Sequence, residues 1–181
     1  SRKLAEAFSK LDKKVLLVDN DLKRGKINKH FNIKSINENI FNSIDESTIN
    51  EYMINDNLYI IPRVKNLNNT FQFLYNYTYR NKIEFFKDYF DYIIFDTGPI
   101  LSVSDTSILI EQSDINLLVA RHEISRINEI KQAIDNFKQI NKNIDGIIYN
   151  GYARPNSYYG YYSLYGNYSY QYYADKYLYN D

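Results

Sequence analysis

Short runs of apolar residues, each closed by a polar or charged one, recur along this chain. Val15-Leu16-Leu17-Val18, Leu58-Tyr59-Ile60-Ile61, Tyr92-Ile93-Ile94-Phe95, Ile115 to Ala120 and Ile144 to Tyr149 are predicted as strands. Consecutive rather than alternating apolar positions suit strands buried on both faces of a parallel sheet. Between them the spacing becomes helical. Leu4, Ala5, Phe8 and Leu11 predict a helix from Arg2 to about Lys13. Phe71, Leu74, Ile83, Phe86 and Phe90 are the expected core contacts of a helix over Thr70 to Tyr89. Ile127, Ile130, Ile134 and Phe137 mark another, capped by Ser125 and ending near Ile140. Ser104 is the expected cap of a shorter helix over Asp105 to Glu111. The Asn- and Ile-rich segment from Ile27 to Ile54 predicts two short helices. Gly25 supplies a turn after the first strand and Pro62 stops the second. Alternating strands and helices predict an α/β domain, a mainly parallel sheet with helices on both faces.

Composition adds exclusions. A chain of 181 residues holds one compact core. Its net charge of zero gives no argument for nucleic acid as a partner. With no cysteine, disulfides, thiolate metal sites and cysteine nucleophiles are excluded. His30 and His122 lack ligand spacing and are taken as solvated or packing residues. No apolar run approaches the roughly 20 residues that cross a bilayer, and no signal peptide opens the sequence, so this stretch is expected to be soluble.

The composition changes at Gly151, which sets the expected boundary between a core over 1–150 and a tail over 151–181. Of 20 tyrosines, the tail holds Tyr152, Tyr158, Tyr159, Tyr161, Tyr162, Tyr165, Tyr168, Tyr170, Tyr172, Tyr173, Tyr177 and Tyr179, spaced by Gly, Ser and Asn. Leu164 and Leu178 are its only large aliphatic residues. Neither strand alternation nor helical periodicity is present, so a mobile tail is expected.

Two constellations carry candidate chemistry. In Val15-Leu16-Leu17-Val18-Asp19-Asn20-Asp21, two carboxylates follow a buried strand at its carboxyl end, the edge at which parallel sheets bind ligands. Hard oxygen ligands there suit Mg²⁺, which keeps several waters and takes one or two carboxylates. Aspartate at a strand end is equally a turn or cap residue. In Tyr92-Ile93-Ile94-Phe95-Asp96-Thr97-Gly98-Pro99, four apolar residues and an aspartate form the Walker B pattern, which places a carboxylate near a nucleotide's Mg²⁺.

Together these motifs resemble the cytoplasmic kinase domain of bacterial tyrosine kinases that serve capsule and exopolysaccharide synthesis. Leu16 to Asp21 matches that family's second Walker motif, and Ile93 to Pro99 matches its Walker B motif. Ile60-Ile61-Pro62-Arg63, Leu117 to Arg121 and Gly146-Ile147-Ile148-Tyr149-Asn150 match further segments, and the tyrosine cluster is similar to the family's tail. The resemblance implies a P-loop NTPase-like fold related to MinD and ParA, with ATP and Mg²⁺ as cofactors. It implies that Asp21 and Asp96 hold the Mg²⁺ shell and that Asp19 accepts the proton of the incoming tyrosine. Asn150 is implied at the adenine, with a simple turn residue as the other reading, and Lys23 near the nucleotide. The implied partners are further copies of the chain in a ring, a cognate tyrosine phosphatase and the membrane part of a parent protein, at the cytoplasmic face of the inner membrane. Two departures stand out. No Gly-Lys-Ser/Thr loop occurs in these residues, which is expected to mark a fragment rather than an inactive relative. Lys23 stands where the family carries arginine, keeping charge but losing bidentate geometry.

The tail admits three readings: a cohesive low-complexity segment, a base-stacking platform, and a phosphoacceptor array. Base stacking normally needs a basic groove, and only Arg154 and Lys176 are positive beyond Gly151. The array explains the repeated choice of tyrosine over phenylalanine, and its expected acceptors are Tyr158, Tyr159, Tyr161, Tyr162, Tyr165, Tyr168, Tyr170, Tyr172, Tyr173, Tyr177 and Tyr179. The leading expectation is therefore an ATP-dependent protein-tyrosine kinase domain that phosphorylates itself between subunits. An inactive relative serving as substrate or assembly partner, and a ParA/MinD-like positioning ATPase, are the alternatives.

Overall fold

The computed structural model describes residues 1–102 and 105–152. Six strands and seven α-helices alternate along it. The strands are β1 (Val15–Asp19), β2 (Met53–Asn55), β3 (Leu58–Ile61), β4 (Tyr92–Asp96), β5 (Leu117–Arg121) and β6 (Gly146–Asn150). The helices are α1 (Arg2–Ser9), α2 (Ile27–His30), α3 (Glu38–Ser43), α4 (Thr70–Tyr75), α5 (Tyr77–Tyr89), α6 (Asp105–Gln112) and α7 (Ile127–Gln139), with a 3-10 turn at Ile49–Tyr52. The expected α/β class is what the structure shows. One sheet has the order β2-β3-β1-β4, and β5 and β6 form a separate pair. β1 runs parallel to both β3 and β4, β5 runs parallel to β6, and only β2 is antiparallel to its neighbour.

The alternation of side chains along β1 explains how one short run feeds two cores. Val15 and Leu17 point to one face, where they meet Ala5 of α1, Ile27 of α2, Leu58 and Ile60. Leu16 and Val18 point to the other, against Phe41 of α3, Leu74 of α4, and Tyr79, Ile83 and Phe86 of α5. Every residue of β1 and β3 is buried. Each fully buried Leu or Ile contributes about 1.5–3 kcal/mol, so this strand pair is the thermodynamic centre of the domain.

Several local expectations need correction. The helix expected over Thr70 to Tyr89 is two helices, because the Asn76 side chain accepts a hydrogen bond from the Thr78 backbone N–H at 3.1 Å and starts a new one. Asn69 and Asn37 cap α4 and α3 in the same way. Phe71 is 45% exposed rather than a core contact. The first helix ends at Ser9, and the backbone turns left-handed at Asp12, which leaves Leu11 exposed. Ser125 does not cap α7: its Oγ accepts from the Arg121 N–H, and the Arg126 N–H donates to Glu129 Oε2 at the helix start. Ile127 is accordingly exposed, and Ala133 and Phe137 are the buried residues of α7. Ser104 lies outside the described residues. Among the described residues no helix is long and apolar enough to cross a membrane.

Candidate functional site

Parallel pairing of β1 with β4 places Asp19 opposite Asp96 as the last residue pair of the ladder. Both carboxylates therefore stand at the carboxyl edge of the sheet, the position expected from the two apolar-then-aspartate motifs. The chain leaves β1 through Asn20, whose backbone N–H donates to the Asp96 carbonyl oxygen at 2.8 Å. Asp21 then closes a tight turn, accepting from the Arg24 N–H at 2.9 Å through Oδ1 and from the Gly25 N–H at 2.7 Å through its carbonyl. Backbone bonds thus gather all three candidate carboxylates at two adjoining strand tips.

The three acids differ in environment. Asp19 is 2% exposed and turned towards the loop after Asp21. Its Oδ2 accepts from the Ile27 N–H at 3.2 Å, and its Oδ1 is buried without a partner. Gly25 lies so close that a Cβ at that position would stand 2.1 Å from Oδ1, so any side chain there would force the Asp19 carboxylate to move. Burial, and then the neighbouring charges of Asp96 and Asp21, push the Asp19 carboxyl up to about 6; the Ile27 N–H and Arg63 act in the opposite direction. Asp21 and Asp96 are half-buried and more accessible. The Asp96 carboxylate accepts from the Ser1 hydroxyl.

Arg63, just beyond β3, faces the same edge. Its Nη1 donates to the Lys23 carbonyl at 3.0 Å, fastening the Asp21–Gly25 turn to the neighbouring strand tip. Lys23 is held through its backbone, and its own side chain is exposed. Asn150 ends β6, where its carbonyl accepts from the His122 N–H at 2.8 Å. Among the described residues β6 pairs only with β5, so no strand pairing there joins Asn150 to the acidic tips. The acceptor tyrosines from Tyr158 to Tyr179 lie outside the described residues.

An orphaned carboxylate oxygen, repelled by two more carboxylates, is an environment that a small hard cation relieves. Two accessible carboxylates beside it match the one or two that Mg²⁺ takes when phosphate oxygens and waters complete its shell. The residues present therefore fit Mg²⁺ bound with a nucleotide. Among the described residues no group of three or more acidic or histidine side chains forms an all-protein metal cage. Sequence reasoning missed Gly25 as the neighbour of Asp19 and Arg63 as the tie to the turn. Gly25 carried a signal, a glycine six positions after a strand-ending aspartate, but nothing in it named its partner.

Known proteins resemble this chain in sequence and in fold. Residues 1–149 match the family model described as an AAA domain. The chain is 31% identical over 160 residues to the tyrosine-protein kinase ptk of Acinetobacter johnsonii, covering 87% of this chain and 22% of that protein. The chain thus spans about a fifth of that curated relative's length. The solved kinase domain of the Escherichia coli tyrosine kinase ETK superposes with a TM-score of 0.74 at 28% identity, over 88% of this chain and 64% of that one. A ParA family ATPase from Chlorobium tepidum superposes with a TM-score of 0.59 at 21% identity, over 76% of this chain and 60% of that one, a likeness of fold alone. The expected P-loop NTPase-like fold and the likeness to bacterial tyrosine-kinase domains are thereby borne out.

Proposed function

Since the chain belongs to the AAA-domain family, we propose that it is the nucleotide-handling part of an ATP-dependent protein-tyrosine kinase that phosphorylates its own tyrosine-rich C-terminus between subunits. The observation that carries this reading is the pairing of Asp19 with Asp96 at one sheet edge, with Asp21 in the next turn. Asp21 and Asp96, the accessible pair, would hold Mg²⁺, which supplies charge neutralisation at the transferred phosphate. Asp19 is the acceptor for the tyrosine hydroxyl. Its carboxyl, pushed up to about 6, is a better proton acceptor near neutral pH than an ordinary aspartate. Acceptance there requires the Gly25 turn to open, because Asp19 is buried beneath it. Asn150 is assigned to the adenine and Lys23 to the nucleotide's outer charge, on the resemblance alone.

In phosphoryl transfer the protein contributes mainly positioning and electrostatics, which strand-tip carboxylates fixed by backbone bonds provide. The partners on this reading are other copies of the chain in a ring, a tyrosine phosphatase that resets the tail, and a membrane-bound parent at the cytoplasmic face. The process served is capsular or exopolysaccharide polymerisation and export. Each phosphate adds about 1.5 to 2 negative charges, so several on one tail would drive subunits apart.

The test replaces Tyr158, Tyr159, Tyr161, Tyr162, Tyr165, Tyr168, Tyr170, Tyr172, Tyr173, Tyr177 and Tyr179 with phenylalanine in the full-length protein. Aromatic area is kept and only hydroxyls are lost. With Mg·ATP, the wild type should gain phosphotyrosine and lose its oligomers in sedimentation, while the variant stays assembled and carries almost no phosphate. Equal dissociation of both would remove the tail from the mechanism.

A further inference from the structure

Tyr79, in the first turn of α5, is 1% exposed and packs between Phe41 and Phe73, with ring centroids at 5.4 and 5.2 Å. A phenylalanine would serve that packing. A buried hydroxyl carries a desolvation cost unless it is hydrogen-bonded, so its presence here calls for a partner. The partner is 59 positions away: Asn20 Nδ2 donates to Tyr79 Oη at 2.8 Å. Asn20 is itself 5% exposed and is the middle residue of Asp19-Asn20-Asp21. Its backbone N–H is bonded to the Asp96 carbonyl. One residue is thus tied by its side chain to a helix on one face of the sheet and by its backbone to the tip of β4, with a candidate carboxylate on either side.

We infer that Tyr79 is a positioning residue whose hydroxyl, acting through Asn20, fixes the turn that spaces Asp19 and Asp21 against Asp96. Without it Asn20 is held only through its backbone, and the turn keeps the bonds of the acids and the Arg63 bond to the Lys23 carbonyl. Its catalytic consequence rests on the kinase reading, because phosphoryl transfer depends on where the carboxylates sit to within about 1 Å. On that reading the tie sets the carboxylates at the transferred phosphate and not the contact assigned to the adenine at Asn150, so its loss should affect turnover more than ATP binding.

The test is Tyr79→Phe in the full-length protein, with Tyr59→Phe as a matched control. Tyr59 is also buried, at 4% exposure, but its hydroxyl donates to Asn50 at 3.4 Å, away from the acids. Tyr79→Phe should slow phosphotyrosine formation at saturating ATP about tenfold with little change in KM, and speed hydrogen exchange of the Asn20 amide about tenfold. Tyr59→Phe should alter neither. Adding Tyr79→Phe to Asn20→Ala should cost nothing further, since both remove one bond. Unchanged turnover and Asn20 exchange in Tyr79→Phe, or additive effects in the double variant, would overturn the inference. If the wild-type full-length protein forms no phosphotyrosine, the kinase reading falls, and the exchange of Asn20 still decides whether Tyr79 holds the turn.

Discussion

β1–β3–β4 and β5–β6 are built from the same kind of apolar run, yet they end in different environments. β1 and β3 are buried throughout, with helices on both faces. In the second pair Ala120 is buried, but Leu117 at 44%, Val119 at 54% and Ile148 at 42% stay exposed on a shared face. The residues at each strand's end follow suit. Asp19 and Asp96 are pinned by a ladder, a turn and side-chain ties, whereas Asn150, the last pair of its own ladder with Arg121, has beyond that ladder a backbone bond to His122. An apolar run predicts a strand. What covers that strand, and so how firmly its tip is held, depends on neighbours far away in sequence.

The strongest attack on this comparison is at the tips. Asp96→Asn in the full-length protein should lower tyrosine phosphorylation by about 10²- to 10³-fold with an unchanged circular dichroism spectrum, because on the kinase reading a carboxylate that holds Mg²⁺ at the transferred phosphate is lost. Asn150→Ala should cost only a few-fold. Equal losses would mean that the two edges work as one site.

Next in size is stability. Leu17→Ala in the fully buried β1 should cost about 2–5 kcal/mol in denaturant unfolding. Val119→Ala, on the exposed face, should stay within about 0.5 kcal/mol. A large loss at Val119 would show that its face is covered in the intact protein.

The smallest effect concerns Asp19. Its carboxyl is raised from 3.8 to about 6 in the folded chain, so the folded state holds its proton more tightly than the unfolded one. The stability this confers is complete below about pH 4 and is lost as pH rises through about 6. Asp19→Asn should remove that dependence and stabilise the ligand-free chain at pH 7 by about 1–3 kcal/mol. Unfolding curves at pH 4 and pH 7 would measure it, and an unaltered difference between them would place the titrating group elsewhere.

Much of the acidic edge was legible because its rule is local: a short buried run followed by aspartate. That rule located Asp19, Asp21 and Asp96, and a parallel sheet then had to bring the strand ends together. What could not be read was set at long range or diluted by composition. Asn76 breaks a helix that its apolar spacing joins, and in so asparagine-rich a chain one more asparagine is no signal. β2 has no apolar run and exists by hairpin pairing with β3, where Asn55 Oδ1 accepts from the Leu58 N–H. Tyr79 looks like any core aromatic until its hydroxyl is traced to Asn20. The same tyrosine letter, in the segment beyond Gly151, was the loudest signal in the sequence.

The pairing of Asp19 with Asp96 also limits how such a site can change. A strand slides against its neighbour only in whole residues, each step moving it about 3.3 Å and turning every side chain to the opposite face. Shifting β4 by one place would carry Phe95 to the level of Asp19 and exchange the faces of Ile93, Ile94 and Phe95 between two different cores. No intermediate offset exists. Coarse alignment of the two acids is therefore digital, and gradual adjustment is confined to the turn from Asn20 to Gly25.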